Sequence, residues 1–418
     1  MSPVRRAPNR LTGTEARLRT EYLSEVTGML WPRPLRTSIG RVDTAPGRLV
    51  GEFVVVPNLR KPRLLLPLDA PRAAATAVRR YSEPRSRLAS IRLELLALSL
   101  RFGVGRVLMP DRVQVRAAHD DPTDTIESYL SAALKTEVRV SLHIGPARAN
   151  RKPVLSLLSA AGELLGFAKI GINDLTRRLV LAEGASLAEL ASVTWQYTTV
   201  PRVLHAGRWN DLEVLVLSAL PVERTRVPIS AARLAQSMLE VAAVGGLTGH
   251  HLAVSPYWCS LLDRLDRLQP GPDADSLHEA AAVLADRGGA AQLRMGAWHG
   301  DWTPWNMASI TDSVLLWDWE RFTSPVPLGF DAVHFRLQQA VVRGGDDPRS
   351  AVAACVLAAP ELLTPFGLAP PEAELTALLY LVDLATRYLG DGQAEAGARL
   401  GVLGQWLLPE LLARVAAL

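Results

Sequence analysis

The feature that most constrains this chain is a change of rhythm along its length. Between Thr125 and Pro221 five short apolar runs recur, EVRVSLHIG, PVLSLLS, LLGFAKIG, VPRVLHAGRW and EVLVLSALP. Each has strand length, and turn formers bound several of them; a helical segment, LVLAEGASLAELASV, follows the third. Beyond Pro221 the apolar residues recur mostly at helical spacing, with one polar interruption, HGDWTPWNMASITDSVLLWDWERF (299–322). Within it NMASI and SVLLWDW read as a small hairpin. A five-stranded antiparallel lobe followed by a helical lobe with a polar loop is an arrangement that can enclose a nucleotide.

The polar loop carries the chemistry. Asp301 and Asn306 have D-x-x-x-x-N spacing, and Asp318 closes the apolar run SVLLW. Phosphoryl transfer needs a base for the attacking hydroxyl, oxygen ligands for Mg²⁺ and a cation on the phosphates. Asp301 suits the first role, and Asn306 and Asp318 offer the hard oxygen donors that Mg²⁺ prefers. Lysine is scarce, with Lys61, Lys135, Lys152 and Lys169 against 42 arginines, so each one asks for an explanation. Lys169, on the third strand, suits the phosphate role as a compact point charge. Its anion is Glu183, near the start of the following helix, with Glu189 as the competing choice.

The turn IGPARANRKPV holds a single glycine, Gly145, and is basic through Arg148, Arg151 and Lys152. Either these side chains cover phosphates, where a glycine-rich loop would use backbone N–H groups, or the turn is a solvated hairpin tip; the two readings stand equal. His299 is expected to orient the loop backbone. Glu320 is expected to tether local backbone or Arg321, and Trp317 and Trp319 to pack in the core. Trp302 and Trp305 are left open between core and the wall of an acceptor pocket.

The segments GFAKIG, LVLAEGASL, HGDWTPWN, LLWDWE and GFDAVHF, in this order, resemble the aminoglycoside phosphotransferase and choline kinase family of the protein-kinase-like fold. The resemblance runs from about residue 125 to the C-terminus. It implies an α+β, two-lobed fold with an antiparallel N-lobe and a mainly helical C-lobe. It also implies Asp301 as catalytic base, Asn306 and Asp318 as ligands of Mg²⁺-nucleotide, and Asp331 as support for the catalytic loop. The activity implied is transfer of the γ-phosphoryl of ATP, with GTP left open, to a hydroxyl of an aminoglycoside, amino alcohol or sugar-like acceptor. The basic turn departs from the family's glycine-rich loop. A protein kinase is disfavoured, because no activation segment of the usual length and no A-P-E follow Asp318. The rival from another class is a non-catalytic nucleotide-binding scaffold.

Residues 1–118 lie outside the resemblance. They contain strand-like GEFVVVPN and PRLLLPLD, two helical stretches and a strand-like VGRVLMPDRVQVRA, which suggest an additional small α/β domain. The turn-rich AHDDPTD (118–124) is the expected boundary, giving an extension over 1–118, an N-lobe over 125–221 and a C-lobe over 222–418. Residues 1–120 hold 22 basic and 10 acidic side chains, the remainder 24 and 32. The asymmetry is expected to hold the N-terminal part against the lobes rather than to bind nucleic acid, since no aromatic-rich nucleic-acid motif accompanies the arginines. The net −8 of residues 121–418 weakly favours a cationic acceptor. No apolar run reaches the ~18 residues of a membrane span. The N-terminus has no apolar segment behind its basic residues, and two cysteines make no disulfide framework. A cytoplasmic enzyme with no membrane partner is the expectation.

Overall fold

The computed structural model describes residues 13–42, 46–81, 87–105, 109–118, 124–145, 151–392 and 403–416. The chain divides into two compact units, one of residues 1–147, 151–177 and 203–219, the other of 148–150, 178–202 and 220–418.

The first unit is built on one antiparallel sheet. Its strands are β1 (Arg36–Gly40), β2 (Arg48–Val56), β3 (Leu64–Pro67), β4 (Arg112–Ala117), β5 (Arg139–His143), β6 (Val154–Leu158) and β7 (Leu164–Gly171). β8 (Thr198–Thr199) belongs to the second unit; β9 (Val203–Trp209) and β10 (Leu212–Leu217) return to this one. The order across the nine strands is β1-β4-β2-β3-β5-β6-β7-β10-β9. The helices are α1 (Gly13–Leu30), α2 (Pro71–Tyr81), α3 (Arg87–Arg101) and α4 (Ile126–Leu134).

Strand alternation explains where the helices lie. Phe53, Val54 and Val55 of β2 are buried on both faces because successive side chains point opposite ways. Phe53 and Val55 share a core with Tyr22, Leu23, Val26 and Leu30 of α1 and Ile126 and Leu130 of α4. Val54 joins Ala73, Ala74 and Ala77 of α2 and Ala97 and Leu100 of α3 on the other face. α4 starts at a capping box in which Thr125 accepts from the Ser128 N–H and Ser128 accepts from the Thr125 N–H. It stops at Lys135, whose φ of 53° is left-handed.

The division expected at 118–124 is not where the contacts divide the chain. β3 pairs with β5, Leu64 opposite His143 and Leu65 opposite Leu142, so strands from either side of that segment share one ladder. The same apolar core runs from Tyr22 to Val216. The Trp31 indole N–H donates to Glu127 at 2.9 Å across the expected boundary. Turn formers mark a connection there, not a domain edge; residues 119–123 lie outside the described ones.

The second unit is mainly helical. α5 (Asp174–Leu190) enters it from the first unit, followed by α6 (Ala231–Ala242), α7 (Pro256–Asp266), α8 (Pro272–Gly288), α9 (Phe330–Gln338), α10 (Pro348–Leu357), α11 (Ala359–Leu362), α12 (Pro370–Gly390) and α13 (Leu403–Ala416). α12 is its spine, with every side chain from Leu375 to Thr386 buried. Two small sheets hold the polar loop. One joins β11 (Thr248–His251), β12 (Gln292–Trp298) and β15 (Thr323–Pro327). The other joins the hairpin β13 (Met307–Ser309) and β14 (Val314–Leu316) to β8, which runs parallel to β14. No helix among the described residues is long and apolar enough to cross a membrane.

Candidate active site

The HGD loop leaves the end of β12 and is held from three directions. Asp331, at the start of α9, accepts the His299 N–H at 2.8 Å through Oδ2 and the Gly300 N–H at 3.2 Å through Oδ1. Burial pushes its carboxyl up to about 7, against those two hydrogen bonds. From α12, the Arg387 guanidinium donates to the Gly300 carbonyl at 2.6 Å. The third hold is His299 itself. Its Nδ1 accepts the Asp301 N–H at 3.1 Å, which fixes the proton on Nε2, and Nε2–H donates to the Trp317 carbonyl at 3.1 Å. Burial holds this imidazole down to about 4, so it is neutral at pH 7. Gly300 sits at φ +80°, and a Cβ there would collide with the Arg321 carbonyl.

These holds present the Asp301 carboxylate. The Asn306 amide donates to Asp301 Oδ2 at 2.8 Å and to its carbonyl at 3.0 Å. That use of the D-x-x-x-x-N spacing closes the loop on itself. The other oxygen, Oδ1, lies 3.1 Å from His334 Nε2, and His334 Nδ1 lies 2.9 Å from the Tyr380 hydroxyl. Burial pushes the Asp301 carboxyl up, but the hydrogen bond from His334 outweighs it and leaves the carboxyl below its usual value. Burial likewise lowers His334, so the neutral Nε2–H tautomer donates to Asp301 and accepts from Tyr380. A file of hydrogen bonds, Tyr380 to His334 to Asp301, thus backs the carboxylate.

Beyond β14 the chain turns sharply. Asp318 has a φ of 75°, a left-handed conformation uncommon outside glycine. Such strain persists where the surroundings over-determine it. The turn brings carboxylate oxygens of Glu183, Asp318 and Glu320 within 4.8 Å of one another. Three carboxylates that close repel unless a cation or protons intervene, and an all-oxygen set suits Mg²⁺ or Ca²⁺. Glu183 is buried in α5, where Oε1 accepts the Trp319 N–H at 3.2 Å; Glu189 is exposed. The Trp317 N–H donates to the Asn306 carbonyl at 3.1 Å, which ties the loop to the Asp318 turn.

The remaining expected residues fall as follows. Lys169 is buried on β7 of the first unit, with Val154 and Leu215 opposite it on the neighbouring strands. Lys152 is half-buried just before β6, and Arg148 lies outside the described residues. Arg151 lies over the Tyr22 ring at 3.3 Å. That is a structural use of one basic residue from the turn. Trp302 is fully buried with its N–H on the Met307 sulfur at 3.4 Å, so it is core and not a wall of an acceptor pocket. Trp305 is exposed. Trp319 is core as expected, edge-on to His299 at 4.6 Å, whereas Trp317 is only half-buried. Its alternation with Asp318 breaks down because β14 ends at Leu316.

Sequence reasoning missed His334, Tyr380 and Arg387, and it read Glu320 as a tether, not as a third carboxylate. His334 had a signal. It follows Asp331 by three residues, and i,i+3 on a helix places both on one face. Tyr380 and Arg387 had none, since both come to the loop from a helix distant in the chain.

No family model matches the chain, and no curated protein matches it. Among solved structures it is similar to a thermostable mutant of aminoglycoside phosphotransferase APH(4)-Ia in ternary complex with ADP and hygromycin B, with 13% identity, a TM-score of 0.45, and 70% of this chain and 98% of that chain covered. It is also similar to aminoglycoside phosphotransferase APH(3'')-Id of Streptomyces rimosus with ADP and streptomycin, with 19% identity, a TM-score of 0.36, and 56% of this chain and 90% of that chain covered. A third is APH(2'')-IIa in complex with gentamicin, at 12% identity and a TM-score of 0.41, covering 72% of this chain and 98% of that one. In the order of its motifs and its α+β make-up, the chain resembles the aminoglycoside phosphotransferase and choline kinase family of the protein-kinase-like fold.

Proposed function

We propose that this chain is a phosphotransferase that moves the γ-phosphoryl of ATP to a hydroxyl of a small molecule. The observation that carries the reading is the doubly held Asp301. One carboxylate oxygen is fixed by Asn306 and the other by His334, on a loop anchored by Asp331, His299 and Arg387. Such a group is positioned before substrate arrives. Each of its oxygens retains a lone pair for an acceptor O–H, so Asp301 orients the attacking hydroxyl and takes its proton late in transfer.

Asp318 and Asn306 would hold Mg²⁺, with Glu183 and Glu320 adding negative charge to the same place. When bound, the ion screens the phosphate charge. Lys169, the buried lysine of β7, is the proposed cation for the phosphates, and Lys152 and Arg148 are proposed for their outer oxygens. His299 and Asp331 act through the loop backbone.

The test is ADP release from Mg²⁺-ATP by the full chain, across a set of hydroxylated amines, sugars, sugar acids and antibiotics. Release that depends on one acceptor class supports the reading. Tight ATP binding with no release on any acceptor points instead to a nucleotide-binding scaffold.

A further inference from the structure

The second unit contains a cavity of about 750 Å³. That is the size of a drug-sized small-molecule site. It adjoins the catalytic loop. Trp298, the residue before His299, and Arg321, three residues after Asp318, both stand in its wall. So does Arg387, whose guanidinium donates to the Gly300 carbonyl next to Asp301.

The wall is charged, and the charges do not cancel. It holds five arginines against three carboxylates. Three of the arginines are matched. Arg264 grips the buried Asp383 with bonds of 2.7 and 3.2 Å, Arg267 meets Asp263 at 2.7 Å, and Arg321 pairs with Asp391. Arg387 and Arg178 form no ion pair among the described residues. Arg387 spends one N–H on a neutral carbonyl; the Trp298 and Tyr388 rings lie 6.0 and 5.9 Å away, and the Asp301 and Asp383 carboxylates act on it through their charge without bonding it. A guanidinium in this state presents a planar fork that matches a carboxylate or a phosphate. A polycation entering the cavity would meet like charge instead.

We propose that the acceptor is a hydroxylated small molecule bearing an oxyanion, a carboxylate or a phosphate ester, with Arg387 as its main ligand and Arg178 adding to the field. This rests on the phosphotransferase reading for the word acceptor, and it runs against the cationic acceptor suggested by the overall charge of residues 121–418.

Calorimetric titration of the full chain with glucose, glucosamine, glucuronate, glucose 6-phosphate and kanamycin tests it without requiring turnover. The expected result is that glucuronate or glucose 6-phosphate binds about tenfold or more tighter than glucose, with affinity falling as salt rises. Which of the two binds tighter separates carboxylate from phosphate. Arg387→Gln also frees the Gly300 carbonyl, so Arg178→Gln, on an exposed helix position, is the companion variant, and an anion affinity lowered in both supports the site. Equal affinity across the set, tighter binding of glucosamine or kanamycin, or no binding of any probe overturns the proposal. Parallel ADP release keeps the two readings apart. Anion binding without turnover on any acceptor contradicts the phosphotransferase reading and leaves the anion site standing.

Discussion

Asp301 has a backing that its own motif does not announce. His334 donates to one of its oxygens and is oriented in turn by the Tyr380 hydroxyl. Because that hydrogen bond lowers the Asp301 carboxyl, its loss raises it. His334→Ala is therefore expected to reduce kcat about tenfold or more and to move the acidic limb of the kcat–pH profile to higher pH, whereas His334→Gln, which can still donate, restores part of the rate. An acidic limb that stays in place in His334→Ala would show that the imidazole only fills space. A second pair of residues sets a pH dependence of stability. His299 is held down to about 4, below its usual 6.5, so its contribution is present above pH 6.5 and is lost as pH falls toward 4, on the order of 3 kcal/mol. Asp331 is raised to about 7, so it works the other way, its contribution present at acid pH and lost as pH rises toward 7. The two offset each other in the native chain. Asp331→Asn removes the offset, and its Tm should fall more steeply than the native Tm between pH 6.5 and 5, read by calorimetry at matched ionic strength.

At the scale of elements, the HGD loop is a tight crossing between β12 and β13 that only glycine permits at its second residue. Gly300→Ala would force a Cβ into the Arg321 carbonyl at a positive φ. The expected outcome is a loss of kcat of about a hundredfold, together with a Tm lowered by several degrees, as a strained backbone costs about 1–3 kcal/mol. A Gly300→Ala chain with native kcat would mean that the loop tolerates another path. The elements themselves were unevenly legible. β5, β6, β7, β9 and β10 are readable because each is a short apolar run between turns, and the β13–β14 hairpin is readable within the polar loop. α1 is harder to read. Tyr22, Leu23, Val26 and Leu30 repeat at helical spacing, but Arg19 and Thr27 are buried in the same stripe and blur it. β1, RTSIG, is half-exposed and has too little apolar character to stand out. The Asp318 turn is invisible to alternation, since a left-handed residue after β14 resets which way the next side chains point.

At the scale of the molecule, the continuity of the sheet is what the sequence concealed. Which strand pairs with which is a long-range property, and nothing local in LLLP or RVSLH announces that β3 and β5 lie side by side. The consequence is that the first unit has one core that draws on both α1 and α4. Deleting residues 1–118 would remove β3 from one edge of β5, leaving β6 on the other, and expose that core. The truncated chain is expected to be rapidly cleaved by protease and to lose a cooperative unfolding transition, where an independent extension would leave the rest folded. The central claim, that Asp301 is the base of a phosphoryl transfer, is tested most directly by comparing Asp301→Asn with the native chain in acceptor-dependent ADP release, with Mg²⁺-ATP affinity measured on the same samples. The expected result is a kcat reduced about a hundredfold or more, with ATP affinity nearly unchanged. Turnover by Asp301→Asn at the native rate would contradict it.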